Sequence, residues 1–116
     1  MRVGIDIVEV DRLKEDEKLW GKILTRRELI YVRKFRDPAV HVAGFFAAKE
    51  AFAKALGTGF SGFYLKDIEI FHNEKNKPLL SLSDKVLSMF PQVIKNIDLS
   101  ISHEKHYAVA VVLIED

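Results

Sequence analysis

Glu50 and Lys54 stand one helical turn apart in the stretch Phe46 to Gly59, FAAKEAFAKALGTG, and Asp6 interrupts the opening run MRVGIDIVEV. Carboxylates and ammoniums are side chains suited to proton transfer and to neutralising charge that develops during a reaction. At positions i and i+4 of an exposed helix they can equally be an ion pair, worth about 0.3–0.5 kcal/mol. The residues around them decide between the two. On a helical wheel Val42, Phe45, Phe46, Phe52, Ala53 and Leu56 form one apolar arc, while Ala43, Gly44, Ala47, Ala48, Ala51 and Ala55 fill much of the remainder. A helix apolar or small nearly all round belongs inside a domain, packed on more than one side. Three charges on it, Lys49, Glu50 and Lys54, therefore need a reason, and the site reading is preferred.

The neighbouring elements must position these groups. Arg2 to Val10 alternates with the period of a strand, Val3, Ile5 and Ile7 on one side and Gly4, Asp6 and Val8 on the other. Taken alone, Asp6 is an edge-strand charge or a cap on a neighbouring backbone. Asp11 to Lys22 is charged, with Leu13, Leu19, Trp20 and Ile23 as anchors, and predicts one or two short surface helices. Thr25-Arg26-Arg27-Glu28 is a capping box that opens a helix running to about Phe35, and its basic residues make a local positive corner. Asp37-Pro38 supplies an N-cap and an N1 proline for the long helix, which runs to Leu56 and stops at Gly57.

Beyond Gly57-Thr58-Gly59 the pattern turns to strands. Tyr64 to Phe71 and Pro78 to Leu82 read as a hairpin around the turn His72 to Lys77. Ser83-Asp84 caps a helix that ends near Phe90, stopped by Pro91. Ile97 to Ser102 alternates, and Tyr107 to Ile114 is apolar on both faces, the pattern of a strand covered on both sides. The expected fold is α+β, a mainly antiparallel sheet packed around a long central helix, in a single domain covering residues 1–116.

Composition narrows the function. With 116 residues, 48% of them hydrophobic, the chain can bury one modest core. A net charge of +1 asks for neither nucleic acid nor an anionic membrane as partner, so any electrostatic contact must be met by a local patch. The absence of cysteine excludes disulfides, thiolate nucleophiles and cysteine-ligated zinc. No run approaches the ~20 apolar residues needed to span a bilayer, and the expectation is a soluble, cytoplasmic protein.

Singly, the remaining motifs are weak. Gly57-Thr58-Gly59 follows a helix C-terminus, where the helix dipole disfavours anions. His103 to His106, HEKH, lacks the spacing of the HExxH zinc motif. In combination and order they are specific: GIDIVEVDR (Gly4 to Arg12), FFAAKEAFAKALGTG (Phe45 to Gly59) and SISHEKHYAVAVV (Ser100 to Val112) resemble the three signature segments of the holo-acyl-carrier-protein synthases, the 4′-phosphopantetheinyl transferases of fatty-acid synthesis. LTRREL (Leu24 to Leu29) is similar too.

That resemblance implies a homotrimer with active sites at subunit interfaces, moving the phosphopantetheine arm of coenzyme A to a serine of apo-acyl carrier protein with Mg²⁺. By position, Asp6 and Glu50 are implied metal ligands, and Asp6, Glu50 and Lys54 the catalytic set. Lys49, Lys54, Gly57, Thr58, Gly59 and His103 are implied to bind coenzyme A, and Arg12, Arg26 and Arg27 to face the acidic carrier protein. Phe45 departs from the pattern, standing where many members carry Arg. The implied roles are chemically coherent, because Mg²⁺ is commonly held by one or two carboxylates plus substrate phosphates, and phosphoryl transfer depends on alignment and charge neutralisation. The serine proton can go to Glu50 or to a metal-bound water. Two other readings stand beside this one: a broader-specificity transferase acting on polyketide or peptide synthase carrier domains, and a noncatalytic module docking an acidic protein through its basic corner.

Overall fold

The computed structural model describes residues 1–91 and 94–116. Its organising element is α4 (Pro38–Leu56), in which fifteen of nineteen residues are buried, as expected of a helix with no polar face. Proline occupies the first turn, and Gly57 ends the helix at φ 79°, a conformation glycine adopts without a Cβ clash. Asp37 holds the N-cap position but makes no side-chain cap bond, and its carboxylate instead lies 3.8 Å from Lys14 Nζ.

Against α4 lies a three-stranded antiparallel sheet in the order β1 (Arg2–Glu9), β5 (Tyr107–Glu115), β4 (Asn96–His103). The register aligns Asp6 with Ala110 and Ala110 with Ile101 across the three strands. Small inward residues allow close approach. A Cβ at Gly4 would overlap the Ala51 carbonyl oxygen and sit 2.7 Å from Ala55 N, so β1 rests on the helix backbone itself. Gly4 and Val8 are buried inward, whereas Val3, Ile5 and Ile7 are 62%, 60% and 65% exposed on the opposite face. The expectation that β5 is covered on both sides therefore holds on one side only: Ala108, Ala110, Val112 and Ile114 are buried, but Leu113 is exposed and Val109 and Val111 are only half-buried.

α1 (Val10–Glu15) and α2 (Glu17–Ile23) cover one flank, joined by a 2.8 Å hydrogen bond from Trp20 Nε1 to the Leu13 carbonyl. α3 (Arg26–Val32) begins at the expected capping box, with Thr25 Oγ1 accepting from Glu28 N and Glu28 Oε1 accepting from Thr25 N. The hairpin of β2 (Ile68–His72) and β3 (Pro78–Leu82) forms a separate two-stranded sheet, followed by α5 (Asp84–Met89) capped by Ser83. β2 begins later than the alternation at Tyr64 suggests. Residues Leu65–Asp67 form a tight 3₁₀ turn, held by Tyr64 N donating to Asp67 Oδ2 at 2.8 Å and Asp67 N donating to the Tyr64 carbonyl at 3.0 Å. A local aspartate cap outcompetes strand periodicity there.

Candidate active site

Alternation along β1 puts Asp6 on the face toward α4, and the helix presents Lys54 and Glu50 to it from successive turns. The Lys54 ammonium bridges to Asp6 Oδ1 and to the Ile5 carbonyl, both at 3.0 Å. Lys54 thus pairs across elements with Asp6 rather than along its own helix with Glu50. Asp6 is largely enclosed, its side chain 17% exposed, while that of Lys54 is 57% exposed and free to reorient on its four-carbon stem.

Glu50 is half-buried, and its carboxyl is pushed above the usual carboxylate range, first by burial and then by the negative charge of Asp6. Lys54 and Arg12 pull the other way without cancelling these effects. Arg12 of α1 belongs to the group, its guanidinium 5.6 Å from the centre of the Phe46 ring on α4. Asp6, Arg12, Glu50 and Lys54, drawn from three elements, therefore share one site. Two neighbouring carboxylates, one of them disfavoured as an anion, form a hard oxygen donor set that a divalent cation would relieve. Among the described residues no cluster of three or more His, Cys, Asp or Glu could hold a metal, so a cation here would take its remaining ligands from substrate and water.

Lys49 does not join them, a correction to its assignment as a coenzyme-binding residue. Its side chain is wholly buried on another side of α4, where Nζ donates to Glu28 Oε1 at 2.6 Å and to the Ile23 carbonyl at 2.7 Å. Burial lowers its pKa and Glu28 opposes that shift. Glu28 is equally committed, because Oε2 accepts from Ile70 N at 2.7 Å. One carboxylate thus ties α3, α4 and β2 together. The capping box reveals Glu28 as a helix cap, but no local pattern shows that its counter-ion lies 21 residues away.

His103 is also apart from Asp6. Two strand spacings of ~4.8 Å and two residues of ~3.4 Å rise put them about 12 Å from one another. His103 instead faces His41 of α4, ring centres 5.1 Å apart, at a cavity of about 210 Å³ whose lining includes Tyr31, Phe35, Phe45 and His72. Phe45 is buried there, stacked 5.7 Å from Tyr31, which stacks 4.6 Å from His72. Burial holds both His41 and His72 below the usual histidine range, with the charge of His103 contributing at His41. Sequence reasoning missed His41 and His72; the i, i+4 spacing of His41 and Phe45 was the available signal.

Gly57-Thr58-Gly59 begins three residues beyond Lys54, at the C-terminal end of α4, with Thr58 exposed. Arg26 and Arg27 are exposed at the start of α3, where Arg27 lies 3.6 Å from Glu69 of β2, on a different element from Arg12.

Comparison with known proteins matches the chain to one family. The family profile of the 4′-phosphopantetheinyl transferase superfamily covers residues 2–112. A holo-[acyl-carrier-protein] synthase of Clostridium botulinum (strain Eklund 17B / Type B) is 44% identical over 97% of this chain and 95% of its own length. The crystal structure of a holo-[acyl-carrier-protein] synthase from Neisseria meningitidis superposes with a TM-score of 0.89 at 34% identity, covering 99% of this chain and 98% of that one. The Helicobacter pylori holo-[acyl-carrier-protein] synthase, solved in complex with coenzyme A, gives 0.86 at 34% identity over 97% and 99% of the two chains. With a family profile spanning residues 2–112 and likeness to its relatives extending over nearly its whole length, the chain belongs to the 4′-phosphopantetheinyl transferase superfamily, among the holo-acyl-carrier-protein synthases.

Proposed function

We propose that this protein transfers the 4′-phosphopantetheine arm of coenzyme A to a serine of apo-acyl carrier protein, releasing adenosine 3′,5′-bisphosphate, at a site built on Asp6, Glu50 and Lys54. The observation that carries this assignment is the Asp6–Lys54 bridge at 3.0 Å beside a half-buried Glu50 whose carboxyl resists ionisation. A site that crowds two carboxylates and keeps a mobile ammonium against them is suited to a cation and a diphosphate together.

Asp6 and Glu50 would hold Mg²⁺, which when bound supplies charge neutralisation on the diphosphate. Lys54 leaves Asp6 for a diphosphate oxygen and stabilises the charge that grows as the phosphoanhydride bond breaks. Arg12 stands at the edge of the same site and, with Arg26 and Arg27, offers positive charge to an acidic carrier protein. Gly57, Thr58 and Gly59 line the nucleotide side beyond Lys54.

The working unit is a homotrimer, with His103 of one chain reaching the coenzyme A held at the carboxylates of another. Support comes from the ~12 Å between His103 and Asp6 within a chain and from the apolar outer face of the sheet, Val3, Ile5, Ile7, Val109, Val111 and Leu113. Covering such side chains contributes roughly 1.5–3 kcal/mol each when complete; the number three rests on the family likeness. The protein works in the cytoplasm, a reading supported by the absence of cysteine; among the described residues no helix is long and apolar enough to cross a membrane. Incubation with apo-acyl carrier protein, coenzyme A and Mg²⁺ should raise the intact mass of the carrier by one phosphopantetheine. An unchanged mass across a range of carriers would overturn the assignment.

A further inference from the structure

A cavity of about 770 Å³ opens away from the carboxylates, lined by α2, the segment that follows α4, and the start of α5. Phe60, Phe63, Tyr64 and Leu65 supply its apolar surface. Three lysines from three separate elements, Lys22, Lys66 and Lys85, line it as well, all exposed, while Phe63 is buried at the base. Lys85 is partly neutralised, its Nζ 3.1 Å from Asp67 and 4.8 Å from the Tyr64 ring centre. Among the described residues neither Lys22 nor Lys66 has a carboxylate within 4.0 Å. Among the described residues no Asp, Glu, Asn or Gln lines the cavity. Gly62 closes its wall at φ 90°, and a Cβ there would lie 2.7 Å from Met89 Cε, so the loop is drawn tightly onto α5.

We propose that this cavity binds a single-chain amphiphile with an anionic head, an alkyl carboxylate or alkyl phosphate, its chain on the phenylalanine rings and its head between Lys22 and Lys66. The volume falls in the ordinary range for small-molecule pockets, ~300–1,000 Å³, and combines an apolar lining with a few charged groups that fix orientation. A nucleotide fits this lining less well. Phe60 and Phe63 are inclined at 56° and Phe63 and Phe90 at 85°, so the rings offer no parallel slot for a base, and none of the described lining residues carries a side-chain amide or carboxylate to read its edge. A flexible chain needs neither. Two ammoniums without carboxylate partners next to an apolar concavity supply the charge complementarity that selects an anionic head over a neutral one.

Titration calorimetry of the full chain with octanoate, decanoate and dodecanoate, each below its micellar concentration, tests this. One equivalent should bind per chain, tightening by about two- to fourfold for each added methylene, since ~0.8 kcal/mol per buried CH₂ corresponds to the upper figure. The double variant Lys22→Glu/Lys66→Glu changes only exposed side chains; it should weaken decanoate at least tenfold while leaving the weaker binding of neutral decyl maltoside unchanged. Absence of binding, affinity independent of chain length, or equal decanoate affinity in the double variant would overturn the proposal. So would binding confined to phosphatidylglycerol vesicles or to an acidic helical peptide. The readout is heat of binding, so its failure leaves the transferase assignment standing, and failure of that assignment leaves this site standing.

Discussion

Glu50 carries an opposition between stability and function that can be measured. Burial and Asp6 raise its pKa above the unfolded value, so the metal-free fold binds this proton more tightly than the unfolded chain does. The corresponding stability is fully present below the unfolded pKa and is lost as pH rises through the folded one. Glu50→Gln, neutral at every pH, should therefore raise the melting temperature of the metal-free protein at pH 8, with the gain shrinking toward pH 4. Its transfer activity should fall at least ~10²-fold if, as proposed, Glu50 is one of two protein ligands to the cation. Calorimetry in chelator checks the first outcome, and a Glu50→Gln variant melting below wild type at pH 8 would show that the pull of Lys54 and Arg12 wins instead. The adjacent Lys49 should behave oppositely. Lys49→Ala leaves the Glu28 carboxylate buried without its counter-ion and should destabilise by about 3–5 kcal/mol in urea denaturation. Residue types alone made Asp6, Glu50 and Lys54 visible as candidates. They could not separate Lys49 from Glu50, because adjacent residues on a helix point about 100° apart and the partner that decides, Glu28, comes from a distant segment.

At the scale of elements, local signals that were complete gave accurate bounds. α4 starts at Pro38 and ends before Gly57, and α3 starts at its capping box, because the groups that end each helix are next to it in sequence. Alternation at Tyr64 misled, since Asp67 satisfies nearby backbone groups and holds a turn before β2 can begin. The facing of β1 was also only half legible: alternation separates the two sides, yet the smaller residues rather than the larger ones turn inward. Packing explains this, because α4 approaches so closely that Gly4 has no room for a side chain. Gly4→Ala should force β1 off the helix backbone and destabilise by about 3 kcal/mol or more. The same displacement should move Asp6 from Lys54 and reduce transfer activity in molecules that remain folded. A denaturation midpoint equal to wild type would mean that the contact is looser than described.

On the scale of the whole molecule, the sheet has one face filled by α4 and another left apolar and open. Its composition was readable in advance, but which strands would share that face depended on the β1–β5 register. Ile5→Asp puts a charge at its centre without touching the α4 side, and for the proposed trimer light scattering should show a shift toward monomer, with activity falling in parallel. Trimer retained at micromolar concentration would direct the interface elsewhere. Mixed assemblies test the division of the site between chains: Glu50→Gln and His103→Ala subunits, each inactive alone, should recover part of the activity when exchanged into one trimer.

Under the proposed function Lys54 acts on charge developing between coenzyme A and its acceptor, and does more than hold Asp6. Steady-state kinetics of Lys54→Ala at saturating coenzyme A and Mg²⁺ tests it most directly. The expected result is a kcat lower by about 10²–10³-fold, a KM for coenzyme A within a few-fold of wild type, and partial recovery in Lys54→Arg. A wild-type kcat in Lys54→Ala, or a loss matched by unfolding of the protein, would contradict it.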